Sequence, residues 1–475
     1  MNTTIAGRTW LMALVIQGLV AGRPAGAADT ELQLSTFKAD VTIPLGHRCM
    51  GILPTKSQEI VDALEARGFV LLGAGQPVVL VAVDWCEIRN GAYDQWRESL
   101  AQAAGTSRER VLVCAVHQHD APVIDRGAQD WLDQVGLVGE LYDRQFHEQC
   151  VQRLAAALRE SLKHARRVTH VGLGQAQVER IASNRRVVDA EGRVNFDRGS
   201  SSGGNPVCRD APDDLIDPYL KTISFWDGET PLVAWHAYAT HPMSYYGRGG
   251  VSADFVGQAR RMRQTDDPAV LQIYASGPSG DVTAGKYNDG SPAHRTALAQ
   301  RLYQGMKAAW EAMVRRPVQH VDFRLTELDL PFRGGAAYQR QPLTATLQDV
   351  QAPVRDRILA AMALSSLDRL ERGQKIDLPC LEVTTAAPRE NGPAAGPQTV
   401  LIVQFPGESF VGYQLLAQQL RPDAFVLSLG YGECWPGYIP TDAAFADHFT
   451  DTWLWVGPHC ESRIRAALQR VLQVK

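Results

Sequence analysis

The chain has 475 residues, 45% of them hydrophobic, and a formal net charge of −4. A chain of this length can bury a substantial core, and length alone would allow two or three domains. The mild negative charge gives no electrostatic reason to expect a nucleic acid as a partner. These bounds indicate a large globular protein and leave both enzymatic and binding functions open.

The first 28 residues have the pattern of a signal peptide. Arg8 precedes the apolar stretch 10–20, and Ala25-Gly26-Ala27 supplies the small residues that signal peptidase prefers. A membrane anchor is the alternative, but about a dozen apolar residues are too few to span a bilayer comfortably. We therefore expect cleavage near Ala27 or Ala28 and export of the mature protein, either to a periplasm or as a secreted protein.

Apolar periodicity predicts strands alternating with helices, which indicates an α/β fold with mixed β-sheets flanked by helices. The predicted strands are 78–83, 111–116, 219–226, 270–275, 318–330 and 400–405. The predicted helices are 57–67, 93–104, 142–164, 291–315, 354–372 and part of 451–474. The glycine- and serine-rich stretch 199–205 is interpreted as an exposed loop near the site entrance, and 384–398 as a surface connection. The basic cluster 260–263 is interpreted as a solvated helix face.

Polar residues follow several of these strands. His117 and His119 end the strand at 111–116, two residues apart and therefore on one face. His241 ends an apolar run that starts at Pro231, and Glu408 follows the strand at 400–405 at a turn into a helix, where a carboxylate is favoured. Ligands of open α/β sheets bind beyond the carboxyl ends of strands, and imidazole and carboxylate groups are ligands of catalytic zinc. The pattern predicts a metal site at the strand C-terminal ends.

The alternative is structural, because a single pair of histidines after a strand commonly serves as turn or core residues. The repetition of polar strand ends favours a site. Two further segments fit it: 276–283 follows the strand at 270–275, and the glycine-rich turn 431–438 follows an apolar run at 424–430. A metal-dependent hydrolase is the function that this pattern favours.

Taken together, the motifs resemble those of the catalytic domain of neutral (non-lysosomal) ceramidases, zinc amidases that cleave the N-acyl bond of ceramide. The resemblance keeps its order along the chain. Five family motifs have similar segments here: T-H-T-H-S-G-P at 116–122, H-x-x-S-M at 241–244, G-D-V-S-P at 280–284, P-G-E at 406–408 and G-Y-V-T-T at 437–441. An N-R pair of the family is similar to Asn184-Arg185. It predicts one ceramidase-like catalytic domain over residues 29–475, without the immunoglobulin-like domain of the larger ceramidases.

Carried over by position, the resemblance implies Zn²⁺ held by His117, His241, Glu408 and Tyr438. It also implies catalytic roles at the following positions: His119, Asp281, Thr283, Arg185 and Tyr438. His119 or the neighbouring Asp120 would move a proton, Arg185 would hold a polar substrate group, and Asp281 and Thr283 would orient water or substrate. Tyr438 could instead be a packing residue with a hydrogen-bonded hydroxyl.

Departures from the family pattern bear on the substrate. Thr283 stands where the family has a serine, Asp120-Ala121 replaces a serine-glycine pair, and Thr450 lies nearest to the position of a second tyrosine. We expect an exported zinc-dependent amidohydrolase for a small-molecule or lipid amide, with an N-acyl sphingoid lipid as one candidate and transient contact with a membrane surface. The alternatives are an exported metal-binding protein without turnover and a zinc hydrolase of a polar amide or ester. The sequence does not give the oligomeric state.

Eight cysteines follow the predicted signal peptide, and none forms a C-x-x-C pair. An oxidising compartment would permit disulfides whose pairing the sequence does not give. Cys86 and Cys114 lie in or just after apolar strands and are expected to be buried thiols or bridge partners. Cys434 is expected beside the site.

Overall fold

Two β-sheets make up the centre of the fold. A computed structural model describes Met1 and residues 31–387, 396 and 398–474, and Glu31–Lys475 forms one compact unit. The predicted signal peptide and its cleavage site lie outside the described residues. The described strands are β1 Gln33–Asp40, β2 Glu59–Ile60, β3 Glu65–Leu72, β4 Val78–Val83, β5 Glu87–Arg89, β6 Val111–Ala115, β7 Val123–Asp125, β8 Arg166–Arg167, β9 His170–Gln177, β10 Ser183–Asn184, β11 Val187–Val188, β12 Val194–Asn195, β13 Tyr219–Asp227, β14 Thr230–Tyr238, β15 Gly250–Val251, β16 Leu271–Ser276, β17 Val282–Thr283, β18 Val314–Leu328, β19 Ile376–Thr385, β20 Thr399–Gln404, β21 Glu408–Ser409, β22 Ala424–Leu429 and β23 Tyr438–Ile439.

Helices cover the outer faces of the sheets. The α-helices are α1 Asn90–Ala104, α2 Arg126–Asp133, α3 Arg144–Ser161, α4 Pro206–Asp210, α5 Asp254–Asp266, α6 Pro292–Glu311, α7 Arg340–Gln348, α8 Val354–Glu371, α9 Val411–Leu420, α10 Asp442–Ala446 and α11 Cys460–Val471. Short 3₁₀ turns lie at Arg108–Arg110, Leu162–His164, Gly285–Tyr287 and Ala336–Tyr338. None of the helices within the described ranges is long and apolar enough to cross a bilayer.

The first sheet has five strands in the order β6-β4-β3-β1-β8, and the second has eight in the order β16-β14-β13-β9-β18-β19-β20-β22. Both sheets are mixed: β4 pairs with β6, β14 with β16 and β20 with β22 in parallel, while the other neighbours run antiparallel. The fold class predicted from the sequence is therefore confirmed.

The two sheets pack face to face, and side chains that alternate along each strand divide the apolar residues between two cores. In β4 and β6, Leu80 and Leu112 face the second sheet, whereas Val81 and Val113 belong to the core shared with helices such as α1 and α3. Phe69 of β3 contacts Phe225 and Trp235 of the second sheet, with ring centroids 5.5 and 5.9 Å apart. Helices α5 and α6 cover the outer side of the second sheet, which gives four layers.

The C-terminal ends of four strands meet beside one another. The amide of Ala115, at the end of β6, donates to the carbonyl of Tyr431, which follows β22. The amide of Gly430 donates to the carbonyl of Ser276 at the end of β16, and the amide of Gly277 donates to the carbonyl of Tyr238 at the end of β14. Residues that follow these strands are therefore brought into one region, although they are far apart along the chain.

Most predicted elements are confirmed within a few residues, but two interpretations are wrong. Residues 57–67, predicted as a helix, contain β2 and the start of β3, because the run from Glu65 pairs with β1 and β4. The cluster 260–263 is not a solvated face: Arg260 is buried and forms a bidentate pair with Asp84. All eight cysteines are buried thiols, so the bridges that the sequence permitted are not formed.

Candidate metal centre and active site

Two histidines are fixed by backbone carbonyl groups. His117 follows β6, and its Nδ1 lies 2.9 Å from the carbonyl oxygen of Cys86. His241 follows β14, and its Nδ1 lies 2.6 Å from the carbonyl oxygen of Ser279. Because a carbonyl only accepts, each Nδ1 carries a proton, and in the neutral imidazole each Nε2 then presents a lone pair. Metal-binding histidines are commonly oriented by such a bond on the other ring nitrogen.

Both Nε2 atoms face the carboxylate of Glu408. Its Oε2 lies 2.9 Å from Nε2 of His241 and 3.3 Å from Nε2 of His117, and all three side chains are buried. Burial alone would raise the pKa of Glu408, but attraction to His117 and His241 in their protonated forms lowers it overall, so the carboxylate is ionised. Three acceptors that converge without a hydrogen between them repel one another unless a cation is present. The donor set, two imidazole nitrogens and one carboxylate, fits a divalent metal ion such as zinc.

The backbone of His117 lies in the left-handed region, with φ at +75°. Apart from glycine, this conformation is uncommon and is found mainly for asparagine, aspartate and histidine, and it carries a strain energy on the order of 1 kcal/mol or more. Strain of this kind is concentrated at functional sites, and here it turns the imidazole away from the path of β6.

Tyr438 is held beside Glu408 by strand pairing. The short strands β21 and β23 run in parallel, with Glu408 opposite Tyr438. The phenol ring lies nearly parallel to the ring of His241, with centroids 6.2 Å apart, and the guanidinium of Arg185 lies 5.4 Å from the phenol ring centroid. Burial raises the pKa of Tyr438 well above its usual value, so the hydroxyl keeps its proton.

His119 shares the site without being one of the three converging ligands. Its ring lies 5.3 Å from that of His117 and 4.6 Å from that of Tyr246, measured between centroids. Its Nδ1 is buried and has no hydrogen-bond partner among the described residues. Burial, followed by the proximity of His117 and His241, lowers the pKa of His119 well below its usual value. The imidazole is therefore neutral in this arrangement.

Asp281 and Thr283 support the site from outside it. The carboxylate of Asp281 accepts from the amide of Val411 at 2.7 Å and from the Asn184 side chain at 2.9 Å, and its carbonyl accepts from the amide of Arg185. The hydroxyl of Thr283 lies 3.4 Å from the carbonyl oxygen of Gly199. Neither residue lines the cavity above the histidines.

Asp120 also turns away from the cavity. One of its carboxylate oxygens accepts from the amide of Gly247 at 2.9 Å, and the other lies 3.6 Å from the guanidinium of Arg295. Burial raises its pKa to about 6. Of the two proton carriers considered from the sequence, His119 is the one that faces the cavity.

The cavity above the three ligands has a volume of about 210 Å³. The loop at 199–205 contributes Gly199 and Ser200 to its wall, as its composition suggested. The lining residues are Met50, Ile52, Cys86, His117, His119, Arg185, Gly199, Ser200, Met243, Tyr246, Arg355, Glu408, Tyr438, Asp451, Thr452 and Trp453. One cavity thus brings together five residues of the predicted site: His117, His119, Arg185, Glu408 and Tyr438.

Tyr431 is a residue of the site that the sequence analysis did not single out. Its ring stacks on that of His117 with centroids 4.2 Å apart, and its hydroxyl lies 2.8 Å from Oγ of Ser279. The same hydroxyl lies 3.4 Å from Nδ1 of His241. The glycine-rich turn after β22 was the signal that could have identified it, since the turn was already assigned to the site.

The fold is similar to that of known protein structures. No protein-family profile and no curated protein sequence matches this chain. The neutral ceramidase from Pseudomonas aeruginosa superposes with a TM-score of 0.65 at 16% identity, covering 94% of this chain and 74% of that one. A ceramidase complexed with C2 gives a TM-score of 0.64 at 15% identity, covering 94% and 76%. The predicted resemblance to neutral ceramidases is confirmed at the level of the fold.

Proposed function

We propose that the protein is an exported zinc-dependent amidohydrolase that cleaves an N-acyl amide. The observation that carries the proposal is the convergence of His117, His241 and Glu408, with lone pairs facing one another, beside a cavity that His117 and Glu408 line. Two imidazoles and one carboxylate form a ligand set used by catalytic zinc in hydrolases. The ceramidase fold supports an amide as the scissile group.

Bound zinc would supply Lewis acidity to the scissile carbonyl and to a water molecule. The carbonyl groups of Cys86 and Ser279 hold both imidazoles in the tautomer that exposes Nε2. His119, which is neutral and lines the cavity, accepts a proton during attack by water and returns it to the departing amine.

Two further side chains would act on the developing charge. The protonated hydroxyl of Tyr438 donates a hydrogen bond to the oxyanion or supplies a fourth ligand to the metal. Arg185, over the ring of Tyr438, attracts the same negative charge. Both groups are held by neighbouring structure before substrate binds, which is the condition for electrostatic stabilisation of a transition state.

The first test is metal content, followed by hydrolysis of a panel of acyl amides and esters, including a ceramide, with and without a chelator. Chelator-sensitive release of fatty acid from an amide is the expected result. Stoichiometric zinc without turnover of any substrate would favour a metal-binding protein, and turnover of esters or polar amides alone would favour a zinc hydrolase of those substrates. A protein without metal would instead hold an imidazolium paired with Glu408.

Export is part of the proposal and has its own test. The pattern of residues 1–28 supports removal of a signal peptide, with a mature N-terminus near Ala28 or Asp29. Mass spectrometry of protein expressed with its native N-terminus should find that terminus in the exported fraction. An intact Met1 or Asn2 terminus on the exported protein would contradict cleavage.

A further inference from the structure

Two arginines face the cavity without a carboxylate partner. Arg185 and Arg355 both line it, and neither forms an ion pair with any residue that the structure describes. Nε of Arg185 is buried and has no hydrogen-bond partner among those residues. Arg355 is exposed at the rim, and its contact there is with the hydroxyl of Thr452, 3.5 Å away.

Several other buried arginines of this protein are paired with carboxylates. Arg89 contacts Glu87 and Asp125, and Arg260 contacts Asp84. An unpaired charge in a partly desolvated site is costly, because the protein replaces the water that would otherwise solvate it. This cost applies to Arg185, whose buried Nε a ligand can satisfy, whereas Arg355 is solvated at the rim and can turn toward an anion there.

Among the described residues, the acidic side chains of the cavity make no close ion pair with either arginine. Glu408 faces the two histidines and is committed to the metal. Asp451 accepts from the amide of Trp453 at 2.7 Å and makes no ion pair with either arginine. The two carboxylates and the two guanidinium groups of the lining balance in number, so a bound divalent metal ion makes the cavity positive.

The size of the cavity limits what can bind. Pockets for drug-sized ligands typically have volumes of roughly 300–1,000 Å³, and this cavity has about 210 Å³. It accommodates a scissile amide with a few flanking atoms and does not enclose two long alkyl chains. Positive charge within a small volume points to a compact anionic substrate.

We propose that the substrate is a short N-acyl amide that carries a free carboxylate, an N-acyl amino acid in chemical class, and that Arg355 binds this carboxylate at the rim while the amide lies between Arg185 and the metal. The inference rests on the proposed amide hydrolysis and names the substrate class for it. A planar guanidinium matches a carboxylate with two parallel hydrogen bonds, which favours this anion over a neutral headgroup.

The test compares N-butanoylglycine with N-butanoylglycinamide, which differ in one charge at nearly equal size. The zinc-loaded parent should hydrolyse the acid with a kcat/KM about tenfold or more above that of the neutral amide, since a charge-assisted hydrogen bond contributes at this level. Arg355→Gln should reduce that preference about tenfold, mainly through KM, and Arg355→Lys should restore part of it. Arg372→Gln, an exposed arginine at the opposite end of α8, is the matched control and should leave the preference unchanged.

A binding measurement separates this inference from the proposed function. Glutarate, a dicarboxylate that no amidase cleaves, is titrated into the zinc-loaded parent and Arg355→Gln proteins by calorimetry. If neither amide is hydrolysed but glutarate binds about tenfold more weakly to the variant, the carboxylate site stands and amide hydrolysis fails. If both amides are hydrolysed with equal kcat/KM, or if Arg355→Gln leaves the preference and glutarate affinity unchanged, the inference is overturned.

Discussion

His241 and Glu408 face each other through two acceptor atoms, Nε2 and Oε2, only 2.9 Å apart. The carbonyl of Ser279 holds a proton on the far nitrogen of His241, so the close contact with Glu408 needs either a metal ion or a second proton between the two atoms. We expect purified protein to hold about one zinc ion per chain. The double variant His117→Ala/His241→Ala should lose that zinc, as measured by elemental analysis. His164→Ala, at an exposed histidine, should retain it; stoichiometric zinc in the double variant would place the metal elsewhere.

Tyr431 should influence the affinity for zinc without being a zinc ligand. Tyr431→Phe keeps the ring that stacks on His117 and removes the hydroxyl that contacts Ser279 and His241. Groups that orient metal-binding histidines typically contribute about 10–100-fold in affinity. Competition with a chromophoric chelator should show zinc affinity reduced within that range, with the folded structure intact by circular dichroism. Unchanged affinity would assign the hydroxyl to packing alone.

Thr283 tests the identity of the nucleophile. Its hydroxyl faces the carbonyl of Gly199 and the side chain does not line the cavity. We expect Thr283→Ala and Thr283→Ser to keep kcat within about tenfold of the parent, less than the loss on the order of 10²-fold that accompanies removal of a transition-state donor. Peptide mapping after incubation with substrate should find no acyl group on Thr283. A trapped acyl adduct on Thr283 would show that its hydroxyl, and not water, is the nucleophile.

Asp281 should make stability depend on pH. Burial raises the pKa of Asp281 to about 6 from an unfolded value near 3.8. The folded state therefore binds this proton more tightly than the unfolded state does. The proton's contribution to the free energy of unfolding is complete below pH 4 and is lost as the pH rises through 6. Across that window the parent should lose stability relative to Asp281→Asn by on the order of 2–3 kcal/mol, since one pKa unit corresponds to about 1.4 kcal/mol. Urea unfolding at pH 4, 5, 6 and 7 measures the difference; parallel curves for the two proteins would contradict it.

The site residues that could be predicted from the sequence are those that follow a recognisable local pattern. His117, His241 and Glu408 each follow an apolar strand, and the rule that ligands bind beyond strand ends was enough to group them. The position of Asp120 was not predictable in this way. Its carboxylate points to Gly247 and Arg295, which are more than a hundred residues away, and short-range pattern carries no information on that contact.

The two incorrect interpretations have the same origin. Arg260 looked like a surface residue because its partner Asp84 is 176 positions away along the chain. Residues 57–67 had a helical spacing of apolar side chains, but the strand that begins at Glu65 gains ladder hydrogen bonds on both edges from β1 and β4. Tertiary pairing outweighs the weak local preference in both cases.

The left-handed backbone of His117 means that the residue needed for metal binding also lowers the stability of the folded protein. Glycine would relieve the strain at this position, and asparagine would relieve part of it, at the loss of the imidazole. A selection of metal-free variants for heat tolerance alone should therefore enrich these two residues at position 117, while a selection that demands turnover should retain histidine. Improving such an enzyme for use at high temperature would have to begin elsewhere in the chain.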